Sequence, residues 1–467
     1  MRRSLREFWL GSVDPRPLAL FRILLGLTVL HDALDLTRDF RAFLTDDGIV
    51  PRSAPREWWA WSLFDLAGSP TGVAIIFAVG VIALCAFTVG YQTRWATIAS
   101  WAWLISLHNR NYYVTDGGDT LVGILFFWSM FAKLDGCWSL DVWRRDAPVV
   151  QVPAFGLRLL QAHVAFLYFV TARLKLRLGW LHGTAIFQDL QIEGFLRPFG
   201  AWLGAHPALC EISTYGILAM EFAFPICAFA SFWIVPMRTA AFALGMAIQI
   251  GIAVSLRMGI FQEAMFSTCA LFALPGWFDR ACALIERIDE RNLEPFAARP
   301  MTPRAVPPAR LLLYAALSAQ FAIAYWGFFV ARRLPLPKIV LAERDFLAME
   351  QPGDLFGTVY NIPHWEAFGV LDDGTAIDVL SVVAPAAQPR RPSIRYSRWN
   401  ELTFKEVQRP LPWLTLGPYL CRAYDETRKG APALASFELV DDEAVPLLPG
   451  QSPLPTHRHM LWHQDCQ

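Results

Sequence analysis

Apolar residues run along this chain in long unbroken stretches, with few short amphipathic ones. Nine stretches predict helices that cross a membrane, at roughly 18–36, 72–91, 95–108, 120–134, 154–173, 214–234, 239–256, 259–276 and 310–330. The third and fourth are short, which predicts tilted or partly re-entrant segments. Residues 335–467 change character: they are polar, rich in proline, and hold no further span. Within them, Trp365–Leu380 carries two apolar runs around Asp373-Gly374, a hairpin pattern. Glu401–Gln408 and Gly417–Thr427 read as helices. The predicted fold class is mainly α: a polytopic membrane helical bundle of about nine transmembrane helices with a small C-terminal α+β domain. The expected boundaries are an interfacial segment over 1–17, a membrane domain over 18–334 and an extracytoplasmic domain over 335–467.

Composition agrees with that pattern. Hydrophobic residues make up 55% of the chain and charged residues 18%, a balance that belongs to a multi-pass membrane protein and not to a soluble globule. Basic residues orient it. Arg2, Arg3, Arg6, Lys133, Arg144, Arg145 and the arginines of the 276–309 connection place the N-terminus in the cytoplasm and the C-terminal domain outside, as in a bacterial inner membrane. Arg38, Arg41, Arg52 and Arg56 in the next loop, and the pair Arg332-Arg333, run against that orientation. A net charge of zero gives no reason to expect nucleic acid. The cysteines show no metal-ligand spacing, so no metal is expected, and Cys210, Cys421 and Cys466 on the predicted outer side leave one disulfide open.

Chemistry concentrates in the fifth run. Gln161, Tyr168 and Lys175 stand seven apart and share one helix face. Lipid cannot satisfy such a stripe, so it must look into protein or a water-filled cavity. Lys175 is one of only five lysines against 36 arginines. Two readings stand for it. Burial can drive its amine neutral and make it a base, or it can anchor the helix end beside Arg173, Arg177 and Trp180, the commoner role of a terminal basic residue.

Other polar residues sit near it in the pattern. Glu221, four residues before Pro225, needs a partner inside its span, and Arg158 is a candidate. Gln249, Gln262 and Glu263 read as links between helices. In the 109–119 loop, Asp119 is expected to cap the fourth span, while Gly117-Gly118 permits a close backbone approach. Asn111, Asp116 and Asp119 can line a cavity shared with Lys175. The long 174–213 connection, with a partly buried helix from Gly183 to Asp189, is where such a cavity would be roofed.

Several pieces in order carry a family resemblance. They are Asp46-Asp47-Gly48 with Pro51-Arg52, Gly90–Arg94, Asn109–Asn111 through Asp119, and Trp138–Asp141. Tyr168-Phe169 with Lys175-Leu176, Trp180 and Gly183 follow, then Glu221 with Pro225, and Gly259 through Trp277. Over roughly residues 14–330 the chain resembles the HTTM domain family, the membrane domain shared with vitamin K-dependent γ-glutamyl carboxylase. The tail resembles the one that follows many bacterial members.

The resemblance implies a chemistry. In the carboxylase a lysine takes a proton from vitamin K hydroquinone, oxygen adds, and the strong base that results removes a γ-proton from a glutamate, which accepts carbon dioxide. By position Lys175 matches that lysine. The resemblance thus implies a catalytic Lys175, vitamin K hydroquinone or another quinol as cofactor, and membrane lipid, a quinone and a protein or peptide substrate as partners. Asn111, Asp116, Asp119, Gln161, Tyr168, Trp180, Glu221 and Gln249 are the substrate-binding candidates.

Two positions depart from the family. Gly117-Gly118 stands where the carboxylase has an Asn-His pair, and Gln249 stands where it has a membrane histidine, so an altered second step is expected. The alternative is a non-catalytic membrane protein that binds a lipid or quinone or assists another membrane protein. A transporter is disfavoured, since no internal repeat and no paired broken spans occur.

Overall fold

The long helices start where local chemistry lets them. α1 (Arg16–Leu36) opens with Pro17 in its first turn, and α2 (Pro70–Val89) opens on Pro70 after Ser69, whose hydroxyl accepts the Gly72 N–H. α2 stops at Gly90, whose φ of 72° terminates the helix at no steric cost. Next come α3 (Thr93–Arg110), α4 (Gly117–Ser129), α5 (Ala154–Leu174), α6 (Ala185–Asp189), α7 (Pro198–Gly204), α8 (Pro207–Phe229), α9 (Ile234–Ser255), α10 (Phe261–Cys269) and α11 (Pro308–Phe329). This is a computed structural model that describes residues 5–466 apart from 55–59, 147–148, 177, 282–305, 330–335, 348, 350–361, 363, 385–396, 400, 403–412 and 453–455. The basic 276–309 connection and the helix expected over Glu401–Gln408 fall largely outside the described residues.

Each predicted run contains a helix. Among the described residues five helices are long and apolar enough to cross a membrane: α1 with its continuation to Leu44, α2, α5, α8 and α9. α4 and α10 are too short to cross alone, with 13 and nine residues. α5 is the axis of the bundle. Its apolar window is 83% buried within the protein, against 22% for α8 and for α9. The latter two therefore keep their apolar faces for lipid.

Pairings fix the direction of the helices. β1 (Ser12–Val13) pairs with β2 (Val152–Pro153) and pins the start of α5 beside the start of α1. α11 runs alongside α5, with Tyr314 stacked on Phe155 at 3.9 Å and the Tyr325 hydroxyl 2.8 Å from His163 Nδ1. Lys175 therefore lies at the end of the bundle opposite the N-terminus.

Much of the motif pattern builds corners. At the N-terminal end Asp141 accepts from the backbone N–H of Gln92 (2.8 Å) and Thr93 (2.9 Å) and from the Thr93 hydroxyl. Buried Arg22 donates to the carbonyls of Thr88, Leu134 and Trp138. At the Lys175 end Asp46 accepts from Arg52 and from buried Arg110.

The C-terminal domain is a four-stranded antiparallel sheet in the order β4-β3-β5-β6. Its strands are β3 (Trp365–Leu371), β4 (Ala376–Asp378), β5 (Leu434–Glu443) and β6 (His457–Asp465), and α12 (Trp413–Thr427) packs against them. The expected hairpin around Asp373-Gly374 is present, with Gly374 at φ 82°. Cys421 on α12 forms a disulfide with Cys466 beyond β6, whereas Cys210 is free and buried. The domain docks on the Lys175 end. Arg398 reaches Asp119 and Asp32 at 2.7 Å, Trp399 Nε1 donates to Asp39, and Arg422 donates to the Asp47 carbonyl.

Candidate functional site

Lys175 closes α5, its N–H bonded to the Thr171 carbonyl at 3.0 Å. Its side chain turns into the protein and is 3% exposed. Nζ donates to Glu221 Oε1 of α8 at 2.6 Å and lies 4.3 Å from the centre of the Trp180 ring. Trp180 is itself fully buried, not the interfacial anchor that its place in the sequence allows. Gly183, at φ 72°, then reverses the chain where a side chain would strike Glu211 and Tyr215. α6 follows and lies against α8, with the Ile186 N–H bonded to the Thr214 hydroxyl.

The connection after α6 closes a roof. Leu196 pairs with Leu256, Arg197 N–H donates to the Ser255 carbonyl (2.9 Å), and Arg257 N–H donates to that of Phe195 (2.7 Å). α7 then lays Phe199 and Trp202 over the space between α8 and α9. A chamber of about 340 Å³ results, lined by Lys175, Trp180, Asp189, Glu221 and a majority of Ile, Leu, Phe and Trp side chains. That size and lining suit a small ring system with few polar contacts. At the rim, Trp202 is 50% and Ile212 68% exposed, so the chamber opens onto an apolar surface, the kind that faces lipid.

Asp189 is the residue that sequence reasoning missed. It ends α6, is 5% exposed, and its Oδ2 is buried with no hydrogen-bond partner among the described residues. Burial pushes its carboxyl up to about 7 against the opposing pull of Lys175. A signal existed. Asp189 stands three and four residues after Ile186 and Ala185, which puts a carboxyl on the buried face of the expected helix.

The other predicted residues divide. Only Lys175, Trp180 and Glu221 of the set meet at the chamber. The stripe on α5 does face protein, but its members serve different partners. Gln161 accepts from Arg158 (2.6 Å) and donates to the Leu271 carbonyl, and Tyr168 accepts from Gln249 Nε2 at 3.0 Å. Glu221 therefore pairs with Lys175 and not with Arg158, because Arg158 lies more than four turns back along α5.

In the loop before α4, the cap is Asp116, not Asp119. Asp116 accepts the Asp119 N–H, and Asp119 returns the bond to the Asp116 N–H, a reciprocal capping box. Asp119 also holds Arg398, and Asn111 bonds the Phe43 carbonyl and the Tyr113 N–H. These three residues support the loop and the docked domain and do not line the chamber.

The sequence pattern that defines the HTTM domain matches residues 11–277. The chain belongs to the HTTM family. That family is the one found in vitamin K-dependent carboxylase-like proteins. No curated protein and no solved structure matches the chain. The matched span contains every element that builds the chamber, while the C-terminal domain lies beyond it. Within the HTTM domain the two departures have structural reasons. A side chain at Gly118 would collide with the backbone of Phe261, so α10 occupies the room that a larger residue would need. Gln249 is buried, and its amide is bonded to Tyr168.

Proposed function

We propose that this HTTM protein binds the head group of a quinol, vitamin K hydroquinone or a relative, in the chamber, and that Lys175 takes a proton from it. The observation that carries this reading is a buried lysine, bonded to a buried glutamate, on the wall of an apolar chamber that opens to the lipid-facing surface. The residues present suit such a ligand: apolar walls for a ring, and carboxyl oxygens, Glu221 Oε2 and Asp189 Oδ2, that lack a hydrogen-bond partner among the described residues. A buried polar atom left so costs roughly 1–3 kcal/mol, which a ligand hydroxyl recovers.

The pair explains how a lysine in this place works as a base. Moving one proton along the 2.6 Å bond from Nζ to Glu221 Oε1 turns an ion pair into a neutral pair and leaves a lone pair on Nζ. Nζ then accepts the ligand proton, so the pair as a whole gains one. A bound quinol would supply the redox chemistry, while the protein orients it and excludes water. The departures at Gly118 and Gln249 support a second step that differs from carboxylation. The chain would sit in a bacterial inner membrane with its N-terminus in the cytoplasm. Arg144 and Arg145 near the N-terminal end and the disulfide in the domain at the Lys175 end support that orientation.

A lipid-binding protein without catalysis is the second reading. The favouring observation is that Glu221 already satisfies Lys175. The experiment is turnover of reduced vitamin K under oxygen by purified protein in detergent. Quinone or epoxide formed by wild type and lost in Lys175→Met supports the base. Equal product from both variants removes Lys175 from the mechanism, and no product with retained binding supports the second reading.

A further inference from the structure

Proton transfer at Lys175 leaves one acid of the chamber idle. Asp189 reaches the chamber from α6, whereas Lys175 comes from α5 and Glu221 from α8. Lys175 Nζ is engaged by Glu221 and the Trp180 face, and Asp189 Oδ2 has no hydrogen-bond partner among the described residues. The chamber thus has two ionisable points, the Lys175–Glu221 pair and Asp189, in a described lining that is otherwise apolar apart from Ser213 and Ser255. We propose that Asp189 is a second catalytic residue, whose Oδ2 receives a hydroxyl of the bound head group while the Lys175–Glu221 pair receives another. The chamber then selects lipids whose head group carries two O–H donors over those with one donor or with carbonyls only. This inference rests on the quinol reading given above.

Three observations bear on it. A carboxyl oxygen buried without a partner is costly, so a side chain retained there is best satisfied by a ligand donor. A carbonyl oxygen offers no proton to a carboxylate, so an oxidised head group fails at this point and leaves as product. Finally, Asp189 near pH 7 is present in both protonation states, because burial raises its carboxyl to about 7. As a carboxylate it can take the hydroxyl proton: the O–H bond of the ligand breaks, its electron pair stays on the ligand oxygen, and a new O–H bond forms on Oδ2. Among the described lining residues the other titratable groups are Lys175 and Glu221, and α7 and α9 bring only uncharged side chains such as Trp202 and Ile252.

The test is equilibrium binding to the full chain in detergent without oxygen. The probes are a short-tailed hydroquinone, its mono-O-methyl ether and its quinone. Wild type is expected to prefer the hydroquinone to the ether by about tenfold, one charge-assisted hydrogen bond. Asp189→Asn and Asp189→Leu should bring that preference to within about threefold, and Asp189→Glu should restore part of it. Hydroquinone affinity in wild type should weaken as the pH falls below about 7, with a flat profile in Asp189→Asn.

Asp189→Leu fills the space with apolar volume, which keeps the fold testable should Asp189→Asn be unstable. A preference unchanged in Asp189→Leu, with binding intact, overturns the role of Asp189 and leaves the quinol reading standing. Failure of wild type to bind any of the three probes overturns both.

Discussion

Replacing Lys175 by methionine should destabilise the bundle far more than the loss of an ordinary surface ion pair. The two side chains are 3% and 5% exposed and meet at 2.6 Å. An exposed pair contributes about 0–1 kcal/mol. Here the substitution leaves the Glu221 carboxylate buried without its counter-charge, which costs about 3–5 kcal/mol. The lost contact of Nζ with the Trp180 ring adds up to about 2 kcal/mol when desolvated. Glu221→Met strands the lysine instead and should cost a similar amount. The double variant leaves no charge behind and keeps the apolar volume, so it should come within about 2 kcal/mol of wild type. The singles should therefore be non-additive by at least about 4 kcal/mol. Unfolding in mixed micelles, followed by tryptophan fluorescence on all four proteins, measures this coupling. Two mild single effects that simply add would show the pair to be hydrated. The chamber would then be wet, and the argument for a proton-accepting lysine would fall with it.

Asp189 gives a pH signature with the opposite sign to most carboxylates. Its carboxyl lies near 7 in the fold against an ordinary 3.8, so its stabilisation is complete below 3.8 and is lost as pH rises through about 7. The span corresponds to about 4 kcal/mol. Thermal unfolding of the ligand-free protein at pH 5 and pH 8 should show about 3 kcal/mol of this loss, the part that falls above pH 5, and Asp189→Asn should flatten it. Arg398→Met should loosen the C-terminal domain from the bundle by about 3–5 kcal/mol, because Asp119 and Asp32 lose their common cation. Limited proteolysis should then release that domain, and unchanged protection would refute the clamp. Cys466→Ser should cost the C-terminal domain up to about 4 kcal/mol, since the bond closes a loop of 45 residues. Alkylation with and without reductant, read by mass, should label Cys421 and Cys466 in wild type only after reduction, and label on either before reduction would refute the bond.

What the sequence determined by itself was that helices dominate the chain and where the apolar runs lie, although five of the nine runs, and not all nine, form helices long and apolar enough to cross a membrane among the described residues. Apolar runs long enough to cross a bilayer have few alternatives to helix, since backbone polar groups in lipid must be satisfied within the segment. The spacing of Gln161, Tyr168 and Lys175 placed them on one face, and all three do look into protein. The hairpin around Gly374 was equally legible, because Asp-Gly between two apolar runs is a local signal.

Only the tertiary structure decided what each polar residue faces. Helical periodicity orients a side chain around its own axis but says nothing of the neighbour across the gap. Hence Gln161, Tyr168 and Lys175, alike in the sequence, end on Leu271 and Arg158, on Gln249, and on Glu221. Asp189 became a candidate only once the turn at Gly183 carried α6 back over α8, since burial and lack of a partner are properties of packing. Asp119 moved the other way, from a candidate for lining a cavity to the seat of Arg398, a partner 279 residues along the chain. Contacts at such separation depend on how helices pack, and no local pattern records them.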